Sequence, residues 1–201
     1  MTALKDLKPL SPAPFFEVRT AASKMDQKRS FKKGRLPDGT GLTGEGKLGT
    51  VSLLWSDVGL FFEVEIKLSL EEGDFLDLFI DTRDLKNSNV ITRYCHHFII
   101  YPDEEEGIEV TRFRGDDSHP LAEPSLIRVK TEPKRSSYSF EVTLPKEILY
   151  GYDPSEFKRL GLTYRFQKKS GEKMHFNISS DTFHLEKHPA LWASVNLIED
   201  I

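Results

Sequence analysis

Two short runs concentrate the side chains that could do chemistry. Asp81-Thr82-Arg83-Asp84-Leu85-Lys86-Asn87 is followed closely by Arg93-Tyr94-Cys95-His96-His97-Phe98. Asp81 and Asp84 can cap a loop by accepting backbone N–H groups, and Arg83 or Arg93 can clamp it through paired carboxylates. In the functional reading the loop is the rim of a ligand site, with Arg83 and Arg93 binding an anion. Asp81 and Asp84 are also the candidate ligands for a structural calcium ion, although no EF-hand spacing surrounds them. Cys95, His96 and His97 are adjacent, and neighbours on a strand point to opposite faces, so all three cannot reach one ion. A metal would need partners from elsewhere, such as His175, His184 or His188. An adjacent Cys-His pair on a strand is also badly placed for proton transfer. Glycine-rich phosphate loops, Gly-x-Ser-x-Gly and His-Glu-x-x-His are all missing from the sequence, and no enzymatic activity is expected. Haem is not expected either, since Met25 and Met174 are among few methionines that could serve it.

The elements that must position these residues are strands. Val51 to Asp81 reads as an antiparallel meander, with a turn at Ser56-Asp57-Val58-Gly59 and a polar loop at Glu71-Glu72-Gly73. Alternation predicts strands over 49–56, 59–67, 74–81, 94–101, 107–113, 126–131, 136–143, 159–167, 173–178 and 192–198. The best helical turn is Pro145 to Tyr150, with proline expected at its first position. Ten short strands separated by turn signals argue an all-β fold, an antiparallel two-sheet β-sandwich of jelly-roll or immunoglobulin-like type. Ahead of it, Leu7 to Pro14 is proline-punctuated and Phe15-Phe16-Glu17-Val18 is a first strand or docking segment. Arg35 to Gly49 is glycine-rich and reads as a long irregular connection. The expected organisation is an extended, partly basic arm over 1–46 and a sandwich over 47–201.

Composition bounds the function. With 38% hydrophobic and 30% charged residues, the chain has an ordinary globular make-up. No stretch reaches the ~20 apolar residues of a membrane helix, and Met1 to Asp6 does not read as a secretory signal. The single cysteine excludes an internal disulfide and suits a reducing compartment, so a cytoplasmic location without membrane partners is expected. The arm from Arg19 to Arg35 carries Lys24, Lys28, Arg29, Lys32 and Lys33 against the one acid Asp26. It could touch an acidic protein partner or lie against its own domain. Nucleic acid is not the expected partner, because net charge is −4 and Phe31 is the one interleaved aromatic.

Four segments resemble the family 9 carbohydrate-binding modules and the wider DOMON-like β-sandwiches. Trp55 to Phe61 is similar to the family's Trp-Asp-x-x-x-Leu-Tyr hairpin, and Gly73 to Asp81 to its acidic strand, with Asp77 for the glutamate. Ser139 to Pro145 is similar to its strand-to-helix corner, and Leu191 to Leu197 to its closing strand. The Asp81-Thr82-Arg83-Asp84 and Arg93-Tyr94-Cys95-His96-His97-Phe98 pair resembles the signature of an uncharacterised bacterial subgroup. The family's opening Asp-Gly-x-x-Asp-x-x-Trp pattern cannot be placed before residue 47.

The resemblance implies a non-catalytic binding module, but with an altered site. The family's two sugar-stacking tryptophans fall at Glu71 and Glu186, its arginine at Ile99 and its glutamine at Arg165. Trp55 and Trp192 fall instead at hairpin and closing-strand positions, where a structural core role is expected. If the strand faces follow the family, Asp77, His97 and Arg165 share the concave face, with Glu71 and Glu186 at its rim. That set would suit a carbohydrate or another polyhydroxylated or anionic small molecule. A surface salt-bridge patch is the competing reading, and a protein-interaction or scaffold role through the charged surfaces is the alternative function. No cofactor is expected beyond structural calcium.

Overall fold

The computed structural model describes residues 18–26 and 30–199. Eleven strands carry the chain: β1 (Arg19–Lys24), β2 (Gly49–Ser56), β3 (Gly59–Ile66), β4 (Phe75–Asp81), β5 (Cys95–Tyr101), β6 (Glu106–Glu109), β7 (Arg128–Pro133), β8 (Tyr138–Pro145), β9 (Arg159–Gln167), β10 (Lys173–His175) and β11 (Ala193–Ile198). Among the described residues helix is confined to one turn, α1 (Thr40–Thr43), and to short 3-10 turns. One of these, Lys146–Ile148, falls where the helical turn is expected, but Pro145 caps it in an extended conformation instead of entering it. Among the described residues no helix is long and apolar enough to cross a membrane.

Period-2 alternation explains most of the strands. In β8, Tyr138, Phe140, Val142 and Leu144 are buried while the residues between them are partly exposed. In β4, Leu76, Leu78 and Ile80 join the main core, and Asp77, Phe79 and Asp81 occupy the opposite face. That second face is buried too, because the segment from Phe176 to Trp192 packs over it with Ile178, Leu185 and Trp192. The main core is chiefly aliphatic but also buries large aromatic side chains, among them Trp55, Phe62, Phe98, Phe140 and Phe166. Each such burial contributes about 1.5–3 kcal/mol. Trp55 is fully buried, and its Nε1–H donates to the Ile198 carbonyl at 3.1 Å.

Hydrogen bonding departs from the expected pair of separate sheets. The strands follow the order β6-β5-β4-β9-β11-β1-β2-β3-β8-β7 without interruption, with β10 attached to β9. The link is β1, which runs parallel to both neighbours, pairing Thr20 with Val195 and Ser23 with Leu54. Residues 19–24 of the expected arm therefore lie in the middle of the sheet. The sheet curls until its edges almost meet. Thr131 at the β7 edge donates its N–H to the Glu105 carboxylate at 2.7 Å and its hydroxyl to the Pro102 carbonyl at 2.6 Å. Gly107 makes room for this approach, since a methyl group there would lie 2.5 Å from Ile127 Cγ2. Leu7 to Pro14, Phe15 to Glu17, Lys28 and Arg29 lie outside the described residues. Of the remaining basic residues, Lys24 faces Asp57 at 3.5 Å and Glu199 at 3.6 Å, both from its own domain.

Candidate ligand cavity over strands 4, 5 and 9

Strand register builds the site. Asp77 pairs with Ile99 on β5 and Arg165 on β9, and Phe79 pairs with His97, so alternate residues of three adjacent strands share one face. Asp77 is 1% exposed. Its Oδ1 lies 2.7 Å from His97 Nε2, and its Oδ2 accepts from Arg165 Nε at 2.8 Å and meets Nη2 at 2.6 Å. Both carboxylate oxygens are thus engaged, and the buried charge is matched by the guanidinium. The His97 ring stacks on Phe79 with centroids 4.1 Å apart, and the Arg165 guanidinium lies 5.6 Å from the Phe75 ring. A neutral His97 donating from Nε2 to Asp77 keeps Nδ1 as an acceptor.

His97, Arg165 and Phe79 line a cavity of about 430 Å³, with Asp77 buried behind the first two. Phe79, Ile91, Ile99, Phe183, Leu185 and Trp192 give it apolar walls, and Thr111, Arg112, Ser180, His184 and Glu186 add polar groups. Trp192 is only 2% exposed, and its Nε1–H donates to the Leu185 carbonyl at 3.0 Å. It is a packed wall and offers no open stacking face.

The remaining candidates divide. Glu186 lines the cavity, 3.4 Å from His184 Nδ1. Glu71 does not: it accepts from the Ser170 hydroxyl at 3.3 Å, beside the Asp74–Lys168 pair at the start of β4. Arg83 and Arg93 also stand apart from it. The Arg83 guanidinium lies 3.4 Å from the Phe157 ring centroid and 4.9 Å from that of Tyr94, and Arg93 pairs with Asp117. Asp81 caps its loop, accepting the N–H groups of Arg83 at 2.9 Å and Leu85 at 2.7 Å, and burial raises its pKa. Asp84 meets Lys86 at 2.7 Å, Arg159 at 2.6 Å and the Ser194 hydroxyl at 2.7 Å. The loop's ionic clamp is therefore made by Lys86 and Arg159, two cations outside the expected arginine pair. Gly161 lets the loop sit this close, since a Cβ there would be 3.2 Å from both Asp81 Cβ and Asp84 Oδ1.

A second cluster escaped the sequence reading. His96, one residue before His97, points to the other face of β5 and joins Glu109 of β6 and His119. Burial works to raise the Glu109 pKa, but hydrogen bonds from His96, Thr111 and the Ala122 N–H outweigh it and hold the carboxyl below its ordinary range. His175, a suggested metal partner, is engaged elsewhere by Glu45 at 2.6 Å. Burial pushes the Cys95 thiol up to about 12.

The fold has known counterparts. A family 9 carbohydrate-binding module from Caldicellulosiruptor kristjanssonii in complex with cellotriose is similar at TM-score 0.58 and 13% identity, over 91% of this chain and 95% of that one. Such a module from the same organism in complex with glucose is similar at TM-score 0.59 and 11% identity, over 91% and 97%. That coverage exceeds what residues 47–201 alone could supply. The chain has a carbohydrate-binding-module-like fold. No protein-family model matches the sequence, and no curated protein matches it either.

Proposed function

We propose that the chain is a non-catalytic binding module that takes a carbohydrate, or another polyhydroxylated or anionic small ligand, in the cavity over β4, β5 and β9. One observation carries this reading. A buried carboxylate, Asp77, fixes an imidazole and a guanidinium at the edge of a cavity with mixed apolar and polar walls. Oriented polar groups set among apolar walls are what a small-ligand site needs. The neighbours in complex with cellotriose and glucose support the carbohydrate class. Within this reading the curled sheet works as a β-sandwich whose two halves share β1. The binding mode is polar, because His97, Arg165 and Glu186 line the cavity while Trp192 is packed into its wall.

A thermal-shift screen of neutral and acidic saccharides, followed by titration calorimetry, tests the proposal. A ligand at 100 times its dissociation constant should stabilise the protein by about 2.7 kcal/mol. Neutral cello- and xylo-oligosaccharides should bind no tighter than about millimolar, and any tighter ligand should depend on His97 and Arg165. Micromolar binding of a neutral oligosaccharide, lost in Trp55→Ala or Trp192→Ala but kept in His97→Ala, would move the site.

A further inference from the structure

His96, Glu109 and His119 form the one trio of His, Cys, Asp or Glu among the described residues whose donor atoms fall within 4.8 Å of one another. Their side chains are 0%, 0% and 2% exposed. Hydrogen counting shows what the cluster lacks. His119 Nδ1 lies 2.9 Å from the Pro120 carbonyl oxygen, so in a neutral ring the proton sits there. The Nε2 lone pair then points at two more oxygens, the Cys95 carbonyl at 3.3 Å and Glu109 Oε1 at 3.5 Å.

The same Oε1 already accepts from Thr111 Oγ1 at 2.7 Å and lies 2.8 Å from His96 Nδ1, while Oε2 takes the Ala122 N–H at 2.8 Å. Electron-rich atoms thus converge from three sides on a point that needs positive charge, supplied by a second proton on His119 or by a metal ion.

The distances favour the metal. A charged N–H···O contact closes to about 2.7–2.9 Å, and both His119 Nε2 approaches are longer. They match the edge of a tetrahedron of ligands set ~2.0–2.1 Å from a zinc ion, which is about 3.3–3.4 Å. Two imidazoles with one carboxylate suit zinc far better than calcium, which takes oxygen ligands. The His96–Glu109 separation of 2.8 Å must widen by about half an ångström to fit the same tetrahedron.

We propose that His96, Glu109 and His119 bind a zinc ion, with the Cys95 carbonyl oxygen facing the fourth position, and that the site is structural. Three side chains and a carbonyl oxygen would fill the four positions and leave none for a reacting water. The ion would tie β5 and β6 to the segment that follows β6, whose Thr111 and Arg112 wall the ligand cavity.

The test begins with the unmodified full-length chain. After dialysis against zinc and removal of the excess, metal analysis should find about one zinc per chain. The melting temperature should rise with zinc and fall with a chelator, and cobalt should give the visible absorption of a four-coordinate ion. Glu109→Gln, which keeps a hydrogen-bonding side chain of similar size, should lose zinc uptake, while His184→Gln and His188→Gln keep it. Unmodified protein that retains no zinc or cobalt, with an unchanged melting temperature, would overturn the proposal. So would stoichiometric zinc that survives both Glu109→Gln and His119→Gln.

Discussion

His96 and His97 are neighbours in sequence and opposites in environment. Each pairs with a buried carboxylate, His96 with Glu109 at 2.8 Å and His97 with Asp77 at 2.7 Å. The His96 side chain is fully enclosed, whereas that of His97 is 18% exposed and borders the cavity with Arg165. One residue step along a strand therefore separates a group committed to holding the protein together from one that can meet a ligand. What an acid-histidine pair can do depends on what encloses it.

The largest effect should come from the enclosed side. Glu109→Ala leaves His96, Thr111 and the Ala122 N–H without their partner in a buried site, and should cost about 3–5 kcal/mol in urea denaturation. Trp192→Ala, which empties the packed wall of the cavity, should fall in the same range of about 3–5 kcal/mol. Asp77→Ala should cost less, about 1–3 kcal/mol, because its partners reach solvent. Equal losses for Glu109→Ala and Asp77→Ala would erase the distinction. His97→Ala should change stability by less than about 1 kcal/mol and yet weaken a cavity ligand at least about tenfold in calorimetry. The subtlest difference concerns Cys95. Burial and the nearby Asp81 charge hold its thiol near 12 against an ordinary 9.0, so the reactive thiolate is scarce at neutral pH. A thiol reagent should label Cys95 only in denaturant or as pH climbs towards 12, and prompt labelling of native protein at pH 7 would contradict its enclosure.

Alternation made most of the sheet legible. Apolar residues at every second position place β8 and the core face of β4 without any tertiary information, and the parity of Asp77, His97 and Arg165 follows once the strands are paired. Strand β1 was not legible, because Arg-Thr-Ala-Ala-Ser-Lys has no apolar alternation and buries only Ala22. Its place comes from backbone pairing on both sides, which residue types scarcely encode. The same limit hid His119. It lies 23 positions from His96, and its approach depends on how the segment after β6 folds back. Glu71 failed to reach the cavity for a related reason, since a loop residue held by Lys168 and Ser170 follows local partners more than strand parity.

Strand β1 also sets a timetable for the nascent chain. Arg19 pairs with Ser194, so β1 finds β11, the second of its two parallel neighbours, only after all the intervening strands have been synthesised. Until then β2, β3, β8 and β7 can assemble as one group, while β4, β5, β6 and β9 form another with an open flank where β11 will dock. Contacts this distant in sequence slow folding, and an unpaired flank invites association with other chains. The emergence of β11, rather than that of the meander, should therefore mark the moment the sheet becomes whole.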